Sequence, residues 1–136
     1  MSGKAKMVRV KDVMKRDFGR IDGTSTIDDA LQIMKSSKTS VLVVNKRYED
    51  DEFGLITAGD IARHVLAMDR APDRVNVYEI MTKPVISVHP DMDIRYCSRL
   101  FAQHDLVRAP VLDGREVIGT ISPNALVLDG LFSLRN

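Results

Sequence analysis

Thr57 and Asp60 stand three residues apart, after the apolar run Gly54-Leu55-Ile56 and before a further apolar stretch from Asp60 to Met68. That position is a turn from an extended segment into a helical one. A hydroxyl and a carboxylate at this spacing have two uses. They can cap the helix, because each accepts from a backbone N–H of the first turn that has no partner within the helix. Alternatively, the carboxylate can accept from both hydroxyls of a vicinal diol while the threonine adds a further contact. The residues alone leave both uses open.

Other reactive side chains do not assemble into a centre. His64, His89 and His104 are dispersed, and none forms a helix-spaced metal pair such as HExxH. Cys97 is the single cysteine, so it closes no intrachain disulfide, and on an apolar face it reads as a small core hydrophobe. Asp28-Asp29 and Glu49-Asp50-Asp51-Glu52 lack the glycine and spacing of a calcium loop and read as solvated. The phosphate cradle GxxxxGK[ST] is absent. The pattern predicts no catalytic residue, no metal and no catalytic cofactor, and points to a binding module instead of an enzyme.

The elements that must position Thr57 and Asp60 occur twice. Val13-Met14 and Ile80-Met81 lie 67 positions apart, and at the same offset TIDDALQIM from Thr26 falls on DIRYCSRLF from Asp93. Ile27, Ala30, Leu31 and Met34 share one helical face, as do Ile94, Cys97 and Phe101, with Thr26 and Asp93 as the N-caps. Short β-branched runs follow, Val41 to Asn45 and Ala109 to Asp113. They are read as buried strands, each paired through a hairpin with Gly54 to Thr57 or Gly119 to Ser122. Further helices are expected over Asp60 to Met68 and Ala125 to Phe132.

The predicted fold class is α/β (α+β), two pseudo-twofold-related β-α-β-β-α repeats packed sheet to sheet, since a half of about sixty residues is marginal as an independent core. The expected boundaries are a tail at 1–7, a first repeat at 8–68, a linker at 69–76, a second repeat at 77–132 and a tail at 133–136. Length fits this arrangement: the chain has 136 residues, 44% hydrophobic and 29% charged, with a net charge of +1. The first twenty residues carry seven basic side chains against Asp12 and Asp17, with Phe18 as their one aromatic. Such a run reads as a solvated face and not as a nucleic-acid arm. With no secretory signal and no apolar run near the roughly 18 residues of a membrane span, the expected location is the cytoplasm.

The repeated order resembles the tandem cystathionine β-synthase (CBS) domain pair, or Bateman module, over about residues 8 to 132. The resemblance rests on the openings Val10 to Met14 and Val77 to Met81, the strand Arg108-Ala109-Pro110-Val111, and Gly54-Leu55-Ile56-Thr57-Ala58-Gly59-Asp60. It implies a regulatory module that binds an adenine nucleotide (AMP, ADP, ATP or NAD) and signals to an effector protein whose identity the sequence does not give. The alternative is a ligand-independent dimerisation scaffold. Under the resemblance Thr57 and Asp60 bind ribose. Arg108 and Arg63 contact phosphate, because a guanidinium offers forked donors and keeps its charge. Thr82, Pro84, Val85, Ile86, Val107, Ala109 and Pro110 complete the pocket for the base.

The second copy departs from the pattern. Ser122-Pro123-Asn124-Ala125 has Ala125 where the acid belongs, and Asn124 is uncharged and projects about 100° away on a helix. One competent site and one degenerate site, Ser122, Asn124 and Ala125, are therefore expected. The apolar residues Leu126, Val127, Leu128, Leu131, Phe132 and Leu134 exceed what one face of a terminal helix buries, which predicts a homodimer through the terminal helices.

Overall fold

The computed structural model describes residues 6–135; residues 1–5, with Lys4 of the basic opening, and Asn136 lie outside the described residues. In chain order the helices are α1 (Val10–Val13), α2 (Ile27–Ser37), α3 (Ala58–Ile61), α4 (Ile94–His104) and α5 (Phe132–Arg135). The strands are β1 (Gly19–Ile21), β2 (Val41–Val44), β3 (Gly54–Thr57), β4 (Ala109–Asp113) and β5 (Glu116–Ile121). They form two compact units. The first is Phe18–Val85; the second joins the segment ending at Asp17 to the chain from Ile86 onward.

The first unit is built on β2, whose four residues Val41, Leu42, Val43 and Val44 are all buried. A β-branched run without alternation is what a strand covered on both faces requires. β1 lies parallel to it and β3 antiparallel, with Leu42 opposite Ile56 and Val41 opposite Thr57. α2 starts at Thr26, whose Oγ1 accepts from the Asp29 N–H at 3.1 Å while the Thr26 N–H donates to Asp29 Oδ2 at 3.1 Å. Ile27, Ala30 and Met34 face the core. Leu31, expected beside them, is 39% exposed, so the buried stripe is narrower than the sequence suggests. After α3 the helix widens to i→i+5 bonding, the Ala67 N–H donating to the Ala62 carbonyl at 2.9 Å, and Val65 stays buried.

The second unit pairs β4 with β5 antiparallel, with a register shift between Val111 and Leu112. Asp93 caps α4 by accepting from the Arg95 N–H at 2.8 Å, and Ile94, Cys97 and Phe101 line the core. Burial pushes the Cys97 thiol up to about 11, which suits an inert core residue. The strand expected before this helix contracts to a single parallel bridge between Val88 and Val111. The expected terminal helix is i→i+5 bonded over Ala125–Leu131 and ends in α5. A Cβ at Gly130 would stand 2.6 Å from Ile94 Cδ1, so a side chain there would displace the end of that isoleucine.

The units do not coincide with the repeats. Val8, Val10 and Met14 lie in the core of the second unit, and the Lys15 N–H and carbonyl bond Thr120 at 2.8 and 2.9 Å. Conversely, Val75, Val77 and Ile80 lie in the core of the first unit, where Thr82 exchanges backbone bonds with Leu55 at 2.8 and 3.0 Å. Each copy's core is thus completed by the opening segment of the other. Among the described residues no helix is long and apolar enough to cross a membrane.

Candidate functional site

The turn between β3 and α3 brings Thr57, Asp60 and Arg63 together. Thr57 Oγ1 accepts from the Asp60 N–H at 3.1 Å, and Asp60 Oδ2 accepts from the Thr57 N–H at 2.9 Å. Arg63 Nη2 donates to Asp60 Oδ1 at 2.9 Å, from a side chain 66% exposed onto one 11% exposed. The capping use is therefore realised in full. It does not exhaust the carboxylate, since two oxygens offer about four lone-pair sites and these bonds occupy two. The guanidinium lies across the turn: a Cβ on Gly59 would meet Arg63 Nη1 at 3.3 Å. Ser40 borders the same turn, its carbonyl accepting from the Ala58 N–H at 2.8 Å.

The other residues expected around Asp60 divide between the units. Thr82 is bonded to Leu55, two residues before Thr57 on β3. Pro84 lines a cavity of about 1000 Å³ beside the β2–β3 hairpin, with Asp51, Lys83, Tyr48, Tyr78 and Met81; Thr57 and Asp60 do not line it. Val85 ends the first unit. Ile86, Val107, Arg108, Ala109 and Pro110 belong to the second unit, where Ala109 and Pro110 are buried in β4 and Val107 is 71% exposed. Arg108 lines a cavity of about 430 Å³ in that unit with Ser122, Asn124 and Ala125, the turn of its own copy. There Ser122 Oγ accepts from the Ala125 N–H at 3.3 Å, half of the reciprocal cap seen at Thr57 and Asp60.

One polar cluster has no signal in the sequence. Asp51, in the acidic hairpin read as solvated, is only 9% exposed. It accepts from Lys83 Nζ at 2.8 Å, from the Arg47 N–H at 2.9 Å and from Arg47 Nε at 3.2 Å. The Lys83 hydrogen bond, then the backbone of Arg47, holds its carboxyl well below the usual carboxylate range. Lys83 is 32 residues away, beyond any helical or hairpin spacing. Among the described residues no group of His, Cys, Asp and Glu is arranged to hold a metal ion.

Comparison with known proteins follows the same division. The CBS domain family matches twice, over residues 10–67 and 77–128. The chain is 30% identical over 117 residues to the uncharacterised protein MK0525 of Methanopyrus kandleri, covering 85% of this chain and 59% of that one. It is 34% identical over 122 residues to a homoserine O-acetyltransferase of Methanosalsum zhilinae, covering 88% of this chain but 23% of the relative. Less than two thirds of either relative is therefore represented here. Among solved structures, the hexameric CBS-CP12 protein from bloom-forming cyanobacteria superposes with a TM-score of 0.90 at 35% identity, covering 94% of this chain and 75% of that one. The CBS domain pair of MJ0100, in complex with 5′-methylthioadenosine and S-adenosyl-L-methionine, superposes with a TM-score of 0.78 at 24% identity, covering 96% and 100%.

Proposed function

The chain belongs to the CBS domain family as a pair of CBS repeats, and on that premise we propose that it is a regulatory module binding an adenosine-containing ligand at the Thr57–Asp60 turn. The observation that carries this reading is the buried Asp60 carboxylate at the start of α3, fixed on one side by Thr57 and covered on the other by the exposed Arg63 side chain. The two ribose hydroxyls donate to Asp60, and Thr57 Oγ1 supplies a further polar contact. Arg63 is the element that yields. Its bridge to Asp60 is exposed on the arginine side and worth at most about 1 kcal/mol, so a ligand phosphate draws the guanidinium away at small cost and opens Oδ1. The fold neighbour holding 5′-methylthioadenosine and S-adenosyl-L-methionine supports the ligand class through the shared fold.

The module acts on something else. A ligand shifts an equilibrium only by its differential affinity for two states, so signalling to an effector protein requires a state in which the Asp60 turn is arranged differently. Self-association supplies a surface for such a state: Val127, Leu128, Leu131 and Phe132 are 52%, 69%, 51% and 63% exposed on the last helical segments. A homodimer through this face is the assembly proposed, and light scattering at tens of micromolar tests it. The hexameric state of the cyanobacterial neighbour belongs to that protein.

Thermal-shift titration with AMP, ADP, ATP, NAD and S-adenosylmethionine tests the ligand reading, because a ligand at 100 times its Kd stabilises the folded chain by about 2.7 kcal/mol. The expected result is a saturable shift with at least one of them, lost in Asp60→Ala. No shift with any of the five leaves the ligand-independent scaffold as the function.

A further inference from the structure

Lys83 directly follows Thr82, the pocket residue that the first unit bonds to β3, and its ammonium is turned away from solvent. Nζ stands 2.8 Å from both oxygens of Asp51, with the two side chains only 19% and 6% exposed. Removing one partner of such a pair leaves the other buried and uncompensated, so the contact is held firmly once made. Asp51 is fixed in turn by the Arg47 N–H at 2.9 Å and by Arg47 Nε at 3.2 Å, which closes the β2–β3 loop on its carboxylate. The pair therefore ties a closed loop to the segment that follows Thr82.

That segment has little else to hold it. Met81 and Thr82 lie against Gly54, where a Cβ would meet Met81 Sδ at 3.1 Å and the Thr82 carbonyl oxygen at 3.2 Å. Thr82 exchanges two backbone bonds with Leu55, and beyond it the pairing stops. Among the described residues Pro84 and Val85 make no hydrogen bond or ion pair, and the next backbone bond along the chain is that of the Val88 N–H to the Pro110 carbonyl, already in the second unit. Burial does not fix the segment either, since Thr82 and Pro84 are exposed and Val85 is half-buried. A single bridge exposed at an edge opens at low free energy unless its neighbour is anchored. The Lys83 ammonium is that anchor.

We infer that Asp51 is a positioning residue for the ligand site: through Lys83 it holds Thr82 to Val85 in the place where an adenosine ligand at the Asp60 turn meets them, without touching the ligand itself. This rests on the adenosine reading and adds to it a residue from the other end of β3. The strand runs from Gly54, beside the hairpin, to Thr57 at the turn, and Thr57 and Asp60 do not line the cavity that Asp51 and Lys83 line. Asp51 therefore acts on the site through the Thr82–Leu55 bridge. A segment ordered in advance spares the ligand the entropy of ordering it on binding.

Isothermal titration of the full chain with AMP and with S-adenosylmethionine, beside amide hydrogen exchange of the ligand-free chain, tests this role. Asp51→Asn and Lys83→Met should each weaken the ligand that binds by about tenfold, and the double variant no further, because the two residues act as one unit. Lys83→Arg, which keeps the cation, should stay within about threefold of the parent. In ligand-free Asp51→Asn the Thr82 and Leu55 amides should exchange at least tenfold faster, while those of β2 keep their protection. Ile27→Val, which loosens the core of the same unit away from the pair, should lower Tm and leave both the affinity and the Thr82 exchange unchanged. Unchanged affinity in Asp51→Asn overturns the inference, and so does a loss of affinity accompanied by lost protection throughout β2, which is the mark of a merely structural role. Failure of the adenosine reading has its own signature, a flat titration of the parent chain with both ligands, and it takes the inference with it.

Discussion

The two strand-to-helix turns of this molecule descend through the same order of elements and differ in what their charges are free to do. At Thr57–Asp60 every charge has a protein partner: the carboxylate caps its own helix and meets Arg63 at 2.9 Å. At Ser122–Ala125 the acid is missing, the cap is reduced to one bond from Ser122, and the neighbouring Arg108 has no partner among the described residues. A turn that satisfies itself can exchange an internal bond for a ligand's hydroxyls. A turn whose cation is left open must recruit an anion or leave that charge to solvent. The two copies thus keep one scaffold and differ in which charges their turns leave without a protein partner.

The largest expected effect removes the acid that distinguishes the turns. Asp60→Ala should weaken an adenosine ligand by at least about 100-fold, since two hydrogen bonds to a charged group are worth about 3–6 kcal/mol, while Asn124→Ala changes it by less than twofold in isothermal titration. Asp60→Asn separates binding from folding, because the asparagine carbonyl oxygen can still accept from the Thr57 N–H while the charge is removed. Wild-type binding in Asp60→Asn, with binding and stability lost together only in Asp60→Ala, would argue that the residue is only a cap. The converse change, Ala125→Asp, should complete the reciprocal cap with Ser122 and raise the adenosine stoichiometry from one to two per chain. A stoichiometry that stays at one would show that more than the acid separates the copies.

Packing behind the turns offers a smaller contrast. A Cβ on Gly119 would meet the Lys15 carbonyl at 2.8 Å and Met14 Sδ at 2.9 Å, whereas on the equivalent Gly54 the nearest atoms stand at 3.1 and 3.2 Å. Gly119→Ala should cost about 1–3 kcal/mol by chemical denaturation and Gly54→Ala distinctly less. The smallest effect concerns acid stability: among the described residues Asp91 of the second unit is held below its ordinary value by exposed Lys11, and Asp51 of the first is held lower still. Asp51 is kept below its ordinary value of 3.8 chiefly by Lys83, so its contribution is fully present above about pH 4 and is lost as pH falls below it. Asp51→Asn should therefore flatten the decline of Tm between neutral pH and pH 3, and an unchanged slope would remove Asp51 as its source.

Much of this was legible in the residues and some was not, for physical reasons. Thr26 and Asp93 announce their helices because a cap is a local event within three residues, and the structure shows both. The run Val41 to Val44 announces a strand buried on both faces for the same reason. The Thr57–Asp60 turn was visible as a spacing, and its double use was left open by that spacing. Arg108 shows the limit: within its own unit it lines the cavity of Ser122, Asn124 and Ala125, a neighbourhood that a repeat does not announce, because it reports which segments are alike and not which segments pack together. Asp51 and Lys83 meet across 32 residues, a separation no periodicity encodes. The opening strand of the second copy contracts to the Val88–Val111 bridge, since Val85-Ile86-Ser87-Val88 looks extended whether or not it finds a ladder.

The exchange of opening segments also sets an order of assembly. The first unit is one uninterrupted stretch, Phe18–Val85, whose contacts close within 68 residues of chain; the second cannot complete its core until residues 8–14 meet residues 88–126. Long loops close slowly and short ones quickly, so the first unit is the earlier folder and serves as the tether whose collapse brings the two parts of the second within reach. A circular permutant that links the ends of the chain and opens it between Val85 and Ile86 would make both units contiguous. Its second unit would then fold without waiting for the first, and a kinetic lag between them would disappear.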